Sequence, residues 1–166
     1  MSSAELILTA LRATGKKLLI AESLTGGLLT AEFVKVAGAS DVLLAGVVAY
    51  DTSLKHELLG VSRQLLENQG AVDPEVAAQM AEGLRAKISL KLGLDLSGLV
   101  AISTTGVSGP TEQDGKPIGE LYICVSKGPE GSVSSNVFAH QLAGNREAIQ
   151  KTAVLLGLEH LWEEIG

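Results

Sequence analysis

Apolar residues recur along the chain in two rhythms, one typical of strands and one typical of helices. Short apolar runs predict five strands, at 17–21, 42–50, 98–104, 121–126 and 132–140. Helical spacing between capping residues and glycines predicts helices at 3–14, about 27–36, 51–59, 62–69, 74–92 and 144–165. Because βα units come first and a hairpin follows, we predict an α/β fold with three layers, α/β/α, around a mixed, mostly parallel sheet.

The size and composition of the chain fit one compact domain. A chain of 166 residues that is 46% apolar can bury a continuous core without metals or disulfides. Aromatic residues are only 3% and there are 19 glycines, which favours α/β over a β-sandwich. We therefore expect residues 1–166 to form a single domain, and the apolar run 42–50 to be a buried strand.

The charge of the chain limits the classes of partner that it can bind. The net charge is -6, the pI is near 5.0, and no run of Lys or Arg offers a basic patch, so nucleic acid is an unfavourable partner. A small phosphorylated ligand stays open, because a few backbone N–H groups and one or two cations can hold a phosphate. No segment approaches the length of a membrane span and no leader precedes the first helix, so we expect a cytoplasmic protein without a membrane partner.

A first polar segment follows the first strand. Ser23 lies just before Gly26 and Gly27, at the start of a helix whose backbone N–H groups favour developing negative charge. A serine nucleophile would find an oxyanion hole there. The alternative is that Ser23 or Thr25 simply caps the helix, and the local pattern by itself favours that alternative.

A serine nucleophile needs a base, and the histidines are poorly placed to supply one. No Gly-x-Ser-x-Gly elbow is present, His140 and His160 come late in the chain, and His56 lies on an amphipathic helix. Lys55 follows the second strand and could act as base if burial lowered its pKa. Tyr50 ends that strand, and its hydroxyl could orient the lysine. The alternatives are a solvated lysine and a core aromatic residue.

A second polar segment follows the third strand. Gly106, Ser108 and Gly109 could wrap a ligand, because glycines allow close approach and the backbone amides can converge on an anion. The segment is neither a Walker loop nor a dinucleotide fingerprint. No His, Asp and Glu cluster has metal-ligand spacing, so we predict no metal site.

Six motifs, in order over nearly the whole chain, resemble the CinA C-terminal domain family. They are Ala21-Glu22-Ser23-x-Thr25-Gly26-Gly27, Tyr50-x4-Lys55, Gly70-Ala71-Val72, the 106–110 loop, Lys116-Pro117-Ile118-Gly119 and Gly144-x-Arg146. The characterised members of that family are nicotinamide-nucleotide amidohydrolases. They convert nicotinamide mononucleotide to nicotinate mononucleotide and ammonia without a metal or cofactor.

The resemblance implies a role for each matching residue. Ser23 becomes the nucleophile, Lys55 its base, and Tyr50 a group that orients the lysine or relays protons. The amides of Thr25, Gly26 and Gly27 would face the oxyanion, while Gly106, Ser108, Gly109 and Arg146 would bind phosphate or ribose. The implied partner is a small nucleotide substrate and the implied cofactor is none. A homodimer is a further expectation.

This chain departs from the family pattern in three places. Leu24 stands where the family often has Cys, Asp51-Thr52 replaces Ser-Asn, and 111–114 replaces a glycine run. A carboxylate at Asp51 would favour charged Lys55 and weaken it as a base, unless Asp51 caps the following helix, which we expect. Two functions stay open: amide hydrolysis of a pyridine nucleotide, and a catalytically degenerate nucleotide-binding module of the same fold. A scaffold with no ligand is a third possibility, which the clustering of polar residues at strand ends disfavours.

Overall fold

The computed structural model describes residues 1–166 and contains one five-stranded sheet. Its strands are β1 (Lys17–Glu22), β2 (Leu43–Val48), β3 (Leu99–Gly106), β4 (Glu120–Lys127) and β5 (Ser134–Gln141). They lie in the order β2-β1-β3-β4-β5. β1 is parallel to β2 and to β3, β4 is antiparallel to β3, and β5 is antiparallel to β4, so only β4 runs against the others. The predicted mixed, mostly parallel sheet is confirmed.

Six α-helices cover the two faces of the sheet. They are α1 (Ser3–Ala13), α2 (Leu28–Val34), α3 (Thr52–Leu59), α4 (Arg63–Gln69), α5 (Pro74–Leu92) and α6 (Arg146–Ile165). On one face, α1, α2 and α6 bury a core that includes Ile7, Phe33 and Ile102. On the other, α5 and its neighbours bury a second core around Met80 and Ala101. The three-layer prediction is therefore confirmed. None of the helices combines the length and apolarity of a membrane span.

The loops that follow the parallel strands lie together at one end of the sheet, where the carboxyl ends of these strands meet. β3 is buried throughout and β1 at every position after its first, which explains the apolar runs 18–21 and 99–102 within them. The last residue of β1, Glu22, is in register with Thr104 of β3 and Val48 of β2. The loops after β1, β2 and β3 therefore emerge side by side, at the carboxyl ends of the strands, where open α/β sheets bind ligands.

The prediction that the second apolar run is a buried strand is wrong. β2 is an edge strand in which partly covered and exposed positions alternate, and Leu44 and Val48 are among the exposed ones. It has a neighbouring strand on one side only, so its apolar run is not covered as β1 is. Helix α2 does come close at Gly46, where an added Cβ would lie 2.3 Å from Thr30 Oγ1. An apolar run of this length predicts a strand but not its place in the sheet.

A buried arginine joins helix α5 to the sheet at the end opposite to the carboxyl ends of the parallel strands. Arg85 of α5 is 1% exposed and forms no ion pair. Its Nε donates to Leu99 O at 3.0 Å and its Nη1 to Ser126 Oγ at 2.9 Å. Its Nη2 donates to Leu96 O at 2.9 Å and to Gly128 O at 2.5 Å. The guanidinium thereby joins α5, the start of β3 and the end of β4.

Candidate active site

A buried serine and a buried lysine meet at the carboxyl end of β1. Ser23 directly follows the strand, and its backbone N–H donates to Thr104 O at 3.0 Å, which holds it beside β3. Lys55 lies in the first turn of α3 and is 1% exposed. Its Nζ is 3.0 Å from Ser23 Oγ. The two residues that the resemblance pairs as nucleophile and base are thus within hydrogen-bond distance.

Two backbone carbonyls complete the surroundings of Lys55. Its Nζ lies 2.8 Å from Ala49 O and 3.4 Å from Tyr50 O, and it forms no ion pair. Burial lowers the pKa of Lys55 from its usual value to about 8, against a smaller opposite effect of Asp51. A neutral amine has two N–H groups and one lone pair. If the N–H groups donate to the two carbonyls, the lone pair is directed at the Ser23 hydroxyl.

The carboxylate of Asp51 caps helix α3 and forms no hydrogen bond with Lys55. Its Oδ1 accepts from Ser53 N at 2.8 Å and from Ser53 Oγ at 2.6 Å, which caps α3. These two hydrogen bonds are the main reason that the pKa of Asp51 is lowered, and Lys55 contributes less. The prediction that Asp51 caps the helix is confirmed.

The residue that holds the serine loop in place was not among the predicted site residues. Glu22 has no solvent exposure, and its Oε2 accepts from the amides of Gly27 and Leu29, each at 3.0 Å. Its Oε1 accepts from Thr30 N at 2.8 Å and from Thr30 Oγ1 at 2.5 Å. One carboxylate thus binds four donors at the start of α2. The available signal was an acidic residue at the end of an otherwise apolar strand, directly before a helix.

The predicted oxyanion role of Gly26 and Gly27 is wrong. Gly26 N donates to Ser23 O at 3.1 Å, and Gly27 N donates to Glu22, so neither amide is free. Both glycines have positive φ, 60° and 99°, and so serve the tight turn. The amides of Leu24 and Thr25 donate to no protein group. Leu24 also lines the cavity described next, and serine hydrolases use the amide after the nucleophile in this way.

A cavity of about 430 Å³ opens over Ser23. Most of its wall comes from the loops after β1, β2 and β3, and the rest comes from the segment after α4 and from the start of α6. The wall comprises residues 23–24, 50–52, 71–72, 105–109, 111–113 and 146. Gly106, Ser108 and Gly109 therefore line the cavity, and their contact with phosphate or ribose stays a prediction. An added Cβ on Gly106 would lie 2.6 Å from Glu120 O, so a side chain there would collide with the neighbouring strand. Thr25, Gly26 and Gly27 are not part of the wall.

Arg146 and Tyr50 close the rim of the cavity together. Arg146 Nη2 lies 2.5 Å from the Tyr50 hydroxyl, and Nη1 donates to Gly109 O at 2.5 Å. The expected contact between the Tyr50 hydroxyl and Lys55 is not made, since only the Tyr50 carbonyl approaches the amine. The strand end directs the exposed ring towards α6. A guanidinium has five N–H donors, so Arg146 retains donors for an anionic group.

The fold and the site define an α/β protein with a buried serine–lysine pair at the carboxyl end of its parallel strands. This chain belongs to the CinA C-terminal domain family, whose family model matches residues 1–165.

Relatives and solved structures agree with this assignment. The chain is 41% identical over 142 residues to a CinA-like protein of Frankia casuarinae, which covers 86% of this chain and 30% of the relative. It is 37% identical over 152 residues to a putative competence-damage inducible protein of Bacillus pumilus, covering 92% of this chain and 34% of the relative. The chain thus spans about a third of the length of these relatives.

Two solved structures share the fold. The competence/damage inducible protein CihA from Agrobacterium tumefaciens superposes with a TM-score of 0.84 at 28% identity, over 97% of this chain and 92% of that one. A competence-damaged protein (CinA) superfamily protein from Klebsiella pneumoniae superposes with a TM-score of 0.80 at 28% identity, over 99% and 98% of the two chains.

Proposed function

We propose that this chain is an amidohydrolase that deamidates nicotinamide mononucleotide by a serine–lysine mechanism. The observation that carries the proposal is the 3.0 Å contact between Lys55 Nζ and Ser23 Oγ in a buried site. The lowered pKa of Lys55, about 8, supports it, because a useful fraction of the amine is then neutral near physiological pH. No neighbouring carboxylate is bonded to the amine to hold its proton.

In the first half-reaction, neutral Lys55 accepts the Ser23 proton while Oγ attacks the amide carbon. The oxyanion that forms receives a hydrogen bond from the free amide of Leu24. When the C–N bond breaks, the Lys55 ammonium returns its proton to the leaving nitrogen, and ammonia departs. The product of this step is an ester between the acyl group and Ser23.

In the second half-reaction, water attacks that ester with Lys55 again acting as base. The bond between the acyl carbon and Ser23 Oγ breaks, and Lys55 returns a proton to the serine. The released acid is nicotinate mononucleotide, which ionises. All proton transfers involve Nζ, which has no competing ionic partner.

The cavity supports the proposal that the substrate is a nucleotide. The cavity volume of about 430 Å³ falls in the range usual for small-molecule sites. Arg146 at the rim can bind a phosphate, and the 105–109 segment would then contact the ring and ribose. We therefore expect Arg146→Ala to weaken binding of nicotinamide mononucleotide much more than binding of nicotinamide riboside, which lacks the phosphate. Equal losses for the two ligands would give Arg146 a purely structural role.

One observation favours the second candidate, a nucleotide-binding module without turnover. Thr111, Glu112 and Gln113, where the chain departs from the family's glycine run, line the cavity. The carboxylate of Glu112 would oppose a phosphate placed beside it. Such a change could alter the substrate or leave binding without hydrolysis.

Incubation of the purified protein with nicotinamide mononucleotide tests both candidates. Ammonia and nicotinate mononucleotide should appear in equal amounts, and Ser23→Ala should abolish both while Ser132→Ala, an exposed turn serine, leaves them unchanged. Tight nucleotide binding without ammonia would support the module instead. A serine-reactive phosphonate separates mechanism from substrate, because labelling of Ser23 that disappears in Lys55→Met supports the activated serine even if another amide is the substrate.

A further inference from the structure

The outer face of α6 carries an exposed row of side chains. We define the α6 stripe as Ala148, Lys151, Leu155, Glu159 and Trp162, which are all exposed. Leu155 at its centre is 66% exposed. The positions recur every three or four residues, so the five side chains lie on one side of the helix. The stripe therefore combines a central leucine and a tryptophan with one positive and one negative charge.

Apolar surface continues on both sides of the stripe. Between α6 and α2 is a groove lined by Leu28 and Val154, and between α6 and α1 is a second groove lined by Leu6. Leu155 borders both grooves, and Leu28 and Leu6 are themselves exposed. A contiguous apolar area with a charged rim is typical of an interaction surface.

The stripe is complementary to itself. Lys151 comes four positions before Leu155 and Glu159 four positions after it, while Ala148 comes seven before and Trp162 seven after. Consider a second α6 packed antiparallel, with Leu155 on the two-fold axis. Each Lys151 then meets the partner subunit's Glu159, and each Trp162 meets the partner subunit's Ala148, whose small side chain leaves room for the ring.

The charges select this arrangement over its alternatives. A parallel pair would put Lys151 against the partner's Lys151 and Glu159 against the partner's Glu159, which is repulsive. In the antiparallel pair, Glu147 and Glu163 lie about 80° around the helix from Leu155, at the margins of the contact. Lys151 already pairs with Glu147 of its own chain at 2.6 Å. It has three N–H donors and can bind a second carboxylate as well.

We propose that this chain forms a two-fold symmetric homodimer through antiparallel packing of two α6 stripes. The chain carries a net charge of -6, so two copies repel each other at long range. The stripe adds no net charge to the contact, because its one positive and one negative charge cancel and each finds an opposite charge on the partner. The axis at Leu155 is about 13 Å along α6 from Arg146, so both cavities stay open to solvent.

Sedimentation over a wide range of protein concentration tests the dimer. The wild type should be dimeric, and Leu155→Asp should raise the dimer dissociation constant at least roughly 30-fold, as for a central interface residue. The matched control is Leu90→Asp, because Leu90 is 86% exposed on α5, on the other side of the sheet, and this variant should stay dimeric. A wild type that is monomeric at every concentration would overturn the proposal.

Two further variants test the geometry. Lys151→Glu should weaken the dimer, and adding Glu159→Lys in the same chain should restore it, because the opposite charges then meet again. Leu155→Cys should form a disulfide-linked dimer on mild oxidation, whereas Leu90→Cys should not; the native Cys124 is buried. A dimer that survives Leu155→Asp, or a Leu155→Cys protein that does not cross-link, would show that another surface forms the contact.

Discussion

Two buried cations in this protein each contact a serine hydroxyl, and they have opposite consequences. Lys55 Nζ lies 3.0 Å from Ser23 Oγ, and Arg85 Nη1 lies 2.9 Å from Ser126 Oγ. Each cation is 1% exposed, and neither forms an ion pair. Burial lowers the pKa of both. Their similarity in burial shows that burial alone does not make a reactive pair.

The difference lies in the side chain and in its place on the sheet. Arginine keeps its proton in proteins and has a rigid fork of donors, so Arg85 can only hold its three carbonyls and Ser126 together. An amine of lowered pKa can lose a proton, so Lys55 can accept one from Ser23. The lysine pair also lies where the loops of parallel strands surround a cavity, whereas the arginine pair lies beneath the β4–β5 turn.

The largest expected effect comes from breaking the lysine pair. Lys55→Arg keeps a cation but removes the base, and Ser23→Ala removes the nucleophile, so turnover should fall by a factor on the order of 10³ or more in each. Ammonia release measures it, with circular dichroism to verify folding. Ser126→Ala is the control, and its turnover should be that of the wild type. Wild-type turnover in Lys55→Arg would require another base.

Breaking the arginine pair should instead affect stability. Arg85→Met removes a donor from three carbonyls and from Ser126 Oγ, which keeps only its hydrogen bond from Ser135 Oγ, so the free energy of unfolding should drop by about 3 kcal/mol or more. Urea denaturation measures this change. The free energy of unfolding of Arg85→Lys should lie between those of the wild type and of Arg85→Met, because lysine restores the charge but not the planar set of donors. Turnover per folded molecule should not change, and its loss would link Arg85 to the active site.

The pH dependence of stability should report on Lys55 directly. Its pKa is about 8 when folded, below the 10.5 usual for lysine, so the unfolded state binds more protons between these values. Stability should therefore rise with pH across this window, by up to about 3 kcal/mol at its upper end. The free energy of unfolding, measured by denaturation at pH 7 and pH 10, should show this rise in the wild type and not in Lys55→Met. Equal rises would mean that the lysine pKa is normal.

The smallest expected effect concerns Asp51. Serine can also cap a helix, so Asp51→Ser should fold normally while removing the attraction that keeps the Lys55 pKa from falling further. Turnover in the wild type should rise with pH through a midpoint near 8. In the variant this midpoint should move to lower pH by less than about one pH unit. Movement to higher pH would contradict the assigned effect of Asp51.

Much of the fold could be predicted from local patterns. The apolar runs of β1 and β3 predict strands because both faces of these strands are covered, so apolar residues follow one another without alternation. Asp51 was predicted to cap α3, and in the structure Asp51, Ser62 and Asp73 each accept a backbone N–H at the start of a helix. Caps are predictable since their hydrogen bonds reach residues only two or three positions away.

The site was predicted only in part, because its contacts are long-range. Ser23 and Lys55 are 32 positions apart, and the resemblance to a family, not the local pattern, paired them. The partners of Tyr50 and the occupied amides of Gly26 and Gly27 depend on how loops from different strands meet. The same is true of β2, whose apolar residues look like those of a central strand.

The sequence by itself determined the strands and the helices, with their ends to within about two residues, because periodicity and capping act within one or two turns of chain. Only the tertiary structure decided which strand lies at the edge of the sheet, which amides near Ser23 are free, and that Lys55 is buried beside Ser23. These properties depend on solvent access and on distances between segments far apart in sequence. A lysine becomes a candidate base only where the fold removes it from water and brings it to a hydroxyl.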